Sequence, residues 1–147
     1  MTKKINHMKR KEDIVEAAFY IIHYSGFKQA TLRKIAQEAG LSLGSVQYFF
    51  PKQKDIYLFA VDVIYERFEE RMRNVIQPEQ GVFEYAVRLL KQIVQVNTKE
   101  ERIENDIWVK FSIMATTDTE YQDRKNEFRK INNKFAKDIL SMLQENH

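Results

Sequence analysis

Residues 43–48 hold side chains suited to reading a base edge: Leu43, Gly44, Ser45, Gln47 and Tyr48. A hydroxyl such as that of Ser45 donates to or accepts from a base. The carboxamide of Gln47 can pair with adenine N6 and N7, and Leu43 can meet a thymine methyl. Gly44 carries no side chain and would let backbone approach closely. The Tyr48 hydroxyl suits a phosphate, a contact that positions without reading sequence. Arg33 and Lys34 precede this set, and Lys52 and Lys54 follow it. All four are cations suited to phosphate, where each neutralised charge releases counterion and makes binding salt-dependent. For each residue the plain alternative is a solvated surface side chain.

Two short helices are expected to position these groups. Leu32, Ile35, Ala36 and Ala39 recur at i, i+3, i+4 and i+7, one apolar face of a helix. Thr31 can cap its start, and Gly40 can take the positive φ that ends it. Ser42 can cap a second helix, about Leu43 to Phe49, with Val46, Phe49 and Phe50 facing inward. Small Ala36 and Ala39 would let the two cross closely, as in a helix-turn-helix whose second helix enters the major groove. The cap residues Thr31 and Ser42 stand at the same edge and are counted with the contact set. The bland alternative is a helical corner in any α domain.

Composition supports an all-α fold. The 147 residues include only 4 Gly and 2 Pro, with 44% hydrophobic and 31% charged residues. Zero cysteines exclude disulfides and thiolate metal sites, and fit a reducing cytoplasm. No apolar run is long enough for a membrane span or a secretory leader, so a cytoplasmic location and no membrane partner are expected. No cofactor and no metal ligand set are expected. His23 has no carboxylate or second histidine at ligand spacing and reads as a satisfied or exposed side chain. The net charge of +3 is uneven: residues 1–54 hold 10 Lys and Arg against 4 Asp and Glu, whereas 55–147 hold 14 against 17. A basic front segment carrying a helix-turn-helix is the electrostatic footprint of a double-stranded DNA binder.

In chain order, residues 1–10 are expected to form a basic arm along or into a groove, or an ordinary solvated terminus. Glu12 to Ser25 reads as a helix buried through Ile14, Ala18 and Ile22. A long helix is expected from about Gln53 to Val75, a break at Gln77-Pro78-Glu79, and a helix from Gln80 to about Asn97. Another runs through Ile103 to Met114, and Ala115 to Thr119 interrupts it. A closing helix carries Tyr121, Phe128, Phe135 and Met142 at intervals of seven and ends near Gln144. The total is seven helices: an N-terminal three-helix unit at 1–54 and a helical unit at 55–147.

The segment KEDIVEAAFYIIHYSGFKQATLRKIAQEAGLSLGSVQYFFPKQKDIY resembles the N-terminal domain of the TetR family of bacterial transcriptional regulators. The resemblance covers roughly residues 10–60. It rests on Thr31, Arg33, Ile35, Ala36, Ala39, Gly40, Leu41, Ser42, Gly44, Ser45 and Val46, with Phe50 as the aromatic after the recognition helix. It implies a homodimeric repressor that reads a palindrome and is released by a small apolar or amphipathic effector in the C-terminal helical domain. On that reading Phe59, Val63, Trp108, Phe111, Met114, Phe128, Ile131 and Phe135 are candidates for an effector pocket, against the plainer role of core. Two positions depart from the family: Gln53 stands where a phosphate-contacting Lys is usual, and Gln47 where many members have Tyr. Members generally add two dimerising helices after the seventh, so 55–147 is expected to be an incomplete effector-binding and dimerisation domain, in a fragment or a naturally short member. The alternative is a protein-interaction adaptor with a helical partner-binding surface and vestigial DNA binding. An enzyme is a poor third, since no nucleophile–base pair or phosphate loop is visible.

Overall fold

The computed structural model describes residues 2–75, 79 and 81–145. Among them run seven α-helices and no strand: α1 (Thr2–Ser25), α2 (Leu32–Glu38), α3 (Leu43–Phe49), α4 (Gln53–Arg73), α5 (Val82–Val94), α6 (Lys99–Thr117) and α7 (Thr119–Glu145). The fold is all-α, an N-terminal three-helix unit with a helix-turn-helix followed by further helices, as expected.

Local chemistry explains each break. Gly26 takes φ 80, a conformation that stops α1, and Phe27–Gln29 form one tight 3₁₀ turn. Thr31 Oγ1 accepts the Lys34 N–H at 3.3 Å at the start of α2. At its end Gly40 takes φ 65. The Leu41 N–H then reaches Ala36 O at 2.9 Å and the Gly40 N–H reaches Gln37 O at 3.2 Å, the two bonds of a Schellman end. Helix α4 opens with the Lys52 N–H donating to the Asp55 carboxylate at 2.9 Å.

Several expected boundaries shift. Residues 2–10 are not an arm but the first turns of α1, because nothing from Thr2 to Ser25 breaks a helix. Helix α4 ends at Arg73 rather than Val75. Helix α5 starts after Gly81, which takes φ 110, and stops where Gln95 turns extended, so it is shorter than Gln80–Asn97. The expected break at Ala115–Thr119 narrows to Asp118 alone, whose carboxylate accepts the Glu120 N–H at 3.0 Å. Of the other expected break, Gln77 and Pro78 lie outside the described residues, as does Gln80.

The main core joins Ile14, Ile22, Ile35, Val46, Ile56, Val61, Ile107, Phe111 and Phe128, so one apolar body runs from the helix-turn-helix into α4, α6 and α7. A second, small cluster holds Met72, Ala86, Leu89 and Ile139 where α4, α5 and α7 meet.

Candidate nucleic-acid interface

Packing inside the three-helix unit decides which side chains point outward. Ile35, Ala36 and Val46 bury the α2–α3 crossing, and Phe50 seals its end. Gly44, Gln47 and Tyr48 are thereby left exposed on α3, with Tyr48 75% exposed. Leu43 and Ser45 are half-buried. A Cβ at Gly44 would meet nothing within 4 Å, so this edge of α3 is open to a large ligand.

Ser45 is less free than its type suggested. Its N–H donates to Ser42 Oγ at 3.1 Å, and the two hydroxyls lie 2.9 Å apart. The Ser42 hydroxyl accepting the Ser45 N–H caps the first turn of α3, and the hydroxyl–hydroxyl bond takes up part of the hydrogen-bonding capacity of Ser45. Gln47 has no such commitment among the described residues, which leaves its carboxamide free.

Arg33 and Lys34 are exposed at the start of α2, and Lys34 Nζ donates to Gln29 Oε1 at 2.5 Å. Lys52 is exposed beside the N-terminus of α4, whereas Lys54 turns to Glu120 of α7 at 3.7 Å. Gln53 points inward. Its amide donates to Ala30 O at 3.0 Å and to the Tyr57 hydroxyl, which itself donates to Phe27 O. Burial pushes the Tyr57 hydroxyl pKa up, opposed by the Gln53 bond. Gln53 thus fastens α4 under the turn between α1 and α2, and its amide is not available to phosphate.

A cavity of about 280 Å³ lies at the other end of the molecule, where α5, α6 and α7 splay around the second half of α4. Of the eight residues expected to line a pocket, Trp108 and Phe135 do. Phe111 and Phe128 are instead buried in the main core, with Phe59, Val63 and Met114 packed against it. Ile131 is 44% exposed. The split has a geometric cause: the heptad stripe of α7 passes two different neighbours, so Tyr121 and Phe128 fill the main core while Phe135 reaches this cavity. Leu90, Ile93 and Val96 form the wall that sequence reasoning missed. For Leu90 and Ile93 the signal was the strongly one-sided apolar pattern of 82–94.

The cavity floor is charged. Glu104, only 4% exposed, accepts Arg67 Nη1 at 2.9 Å and Arg71 Nη1 at 3.0 Å. Arg67 Nη2 continues to Glu16 of α1 at 2.6 Å. A buried carboxylate is tolerable only with both oxygens paired, as here. On the neighbouring face of α6, Lys110 Nζ donates to the α1 carbonyls of Ile22 (3.2 Å) and His23 (2.6 Å) and to Asp106 (2.7 Å). His23 Nδ1 donates to the same Asp106 oxygen at 2.8 Å. Burial would raise the Asp106 pKa, but the Lys110 and His23 hydrogen bonds outweigh it and hold it below the usual carboxylate range. His23 is therefore a satisfied side chain, as expected, and α6 both floors the cavity and grips the end of α1.

No protein-family model matches the chain. It is 32% identical over 115 residues to the HTH-type transcriptional regulator PksA of Bacillus subtilis (strain 168), covering 78% of this chain and 56% of that protein. It is 26% identical over 147 residues to the fatty acid metabolism regulator protein of the same organism, covering 92% of this chain and 67% of that one. The chain therefore spans about half the length of the first relative and two thirds of the second. A solved structure of a candidate transcriptional regulator from Saccharomonospora viridis, in complex with choline, superposes with a TM-score of 0.76 at 22% identity, covering 95% of this chain and 72% of that one. The chain thus shares sequence with regulators, one of them HTH-type, and has the fold of a solved structure at 22% identity.

Proposed function

We propose that the chain is a transcriptional regulator of the TetR family, acting as a homodimeric repressor whose two α3 helices read a palindromic operator. One observation carries the reading: a doubly capped, Schellman-closed helix pair presents Gln47 and Tyr48 outward from a rigid core. Gln47, Ser45 and Leu43 contact bases across the open edge at Gly44. Tyr48, Arg33, Lys34 and Lys52 hold phosphates, with Thr31 and Ser42 setting the helix ends. Lys54 contributes only if a phosphate outcompetes Glu120. Residues 1–54 serve as the reading unit and 55–147 as the effector and dimerisation unit. Paired half-sites would lie about 34–36 Å apart, one turn of DNA.

The effector is a small apolar or amphipathic molecule in the cavity above the Glu104 floor. The choline complex of the Saccharomonospora structure and the relative named for fatty acid metabolism support a ligand-responsive role. Helix α6 supplies the route, since it carries Trp108 and Glu104 at the cavity and Lys110 at the end of α1. Titrations of an operator duplex and a scrambled duplex at fixed salt test the DNA reading. Gln47→Ala loses affinity for the operator first, whereas Tyr48→Phe weakens both alike. Equal loss on both duplexes for Gln47→Ala removes it from the reading set. Absence of any salt-sensitive, sequence-selective binding by the wild-type chain sinks the regulator reading.

A further inference from the structure

The first turns of α1 extend beyond the three-helix core. Ile14 is the first fully buried side chain among the described residues, and His7 lies about two turns, roughly 10 Å, before it along the helix. That overhang is not idle, because it lies against the end of α3. The His7 ring sits 4.6 Å from Phe49 and 6.3 Å, edge on, from Tyr48. Tyr48 and Phe49 meet edge to face at 5.1 Å. One turn later Lys11 Nζ lies 5.8 Å from the Phe50 ring and 5.3 Å from the Phe59 ring. His7 and Lys11 therefore define the side of α1 that faces α3.

Helical geometry sorts the neighbouring cations. At 100° per residue, Arg10 falls about 60° from His7 and Lys9 about 160° from it. Both are exposed, and no acidic residue occurs before Glu12. Arg10 thus lies at an edge of the α3-facing side of α1, while Lys9 points away from that side. Exposed Tyr48 thus meets α1 through the edge-on contact of its ring with His7.

We propose that the overhanging turns of α1 form a second phosphate-contacting flank of the DNA interface, in which Arg10 binds backbone phosphate and His7 is a positioning residue for Tyr48. This rests on the DNA-binding reading above and adds residues to it. The flank touches only phosphate, so it strengthens binding to any sequence and contributes nothing to choosing one.

Salt titrations with a random-sequence duplex of about 30 base pairs, roughly three turns of DNA, test it directly. Arg10→Gln lowers the slope of log affinity against log salt by about one per bound protomer, about two for a dimer, as each copy loses one phosphate contact. Lys9→Gln, the same loss of charge on the opposite side, leaves the slope within error of wild type. His7→Ala weakens binding to the extent that Tyr48→Phe does and adds nothing in the Tyr48→Phe background, whereas His7→Phe, which keeps the ring contact, restores wild-type affinity. All these positions are exposed, so the variants keep their helical circular dichroism. The flank is refuted if Arg10→Gln and Lys9→Gln have the same slope, and the positioning role is refuted if His7→Ala and Tyr48→Phe losses simply add. In either case wild-type binding stands, which separates these failures from failure of the DNA reading, where the wild-type chain itself shows no salt-sensitive binding and the flank falls with it.

Discussion

The helix-turn-helix end and the cavity end are built from the same kind of helix but finished differently. Around α2 and α3, Ile14, Ile22, Ile35, Val46 and Ile56 are wholly buried, and both short helices are capped. Around α5 the buried set shrinks to Met72, Ala86, Leu89 and Ile139, a cavity opens, and Phe83 (69%) and Val94 (77%) stand exposed. Seven-residue helices are too short to persist alone, so their stability must come from caps and packing. The contrast matches two tasks. On the proposed function, the surface that meets DNA in one geometry is held by dense packing, whereas the region that admits a ligand leaves its apolar side chains incompletely covered.

The largest effect should come from emptying the dense end. Ile35→Ala is expected to cost about 3 kcal/mol, with a matching fall in denaturation midpoint. Leu89→Ala, beside a cavity that is already open, should cost nearer 2 kcal/mol, the low end of the same range. Equal losses at the two sites would erase the contrast. Glu104→Gln removes the charge that links α4 and α6 and leaves two guanidinium groups. Because both reach water, the loss should be about 2 kcal/mol rather than the larger penalty of an enclosed pair. Gly40→Ala forces an L side chain to φ 65 and should cost about 1–2 kcal/mol. It should also weaken DNA binding by shifting α3. Smallest is the Asp106 link. Its carboxyl pKa is depressed in the folded state, so its stabilisation is present above the ordinary carboxylate value and disappears as pH falls through the lowered one. Melting curves of wild type and Asp106→Asn should therefore converge in acid; a gap that persists unchanged at low pH would show the carboxylate charge to be immaterial.

Much of the helix-turn-helix end was readable in advance because its determinants are local. A cap residue, a positive-φ glycine and an apolar stripe act within a few positions of one another, so Thr31, Gly40 and Ser42 announce α2 and α3 without reference to the rest of the chain. The overhang of α1 was misjudged, since basic composition suggested an arm where an unbroken helix continues. What Ser45 does with its hydroxyl was equally hidden, because composition cannot say that a cap is already using it.

At the cavity end the determinants are distant in sequence. Whether Phe111 or Phe135 lines a space depends on which neighbour each meets on α4 and α5, and periodicity names the inward face of a helix without naming its partner. The pairing of Glu104 with Arg67 and Arg71, the turning of Gln53 toward Ala30 and the grip of Lys110 on the last carbonyls of α1 each join groups more than twenty residues apart. The sequence alone determined an all-α chain with a capped helix pair and a basic front, because those follow from local propensity and charge. Only the tertiary structure decided where the cavity lies, which cations stay exposed and what His7 touches, because each depends on how helices far apart in sequence come to cross.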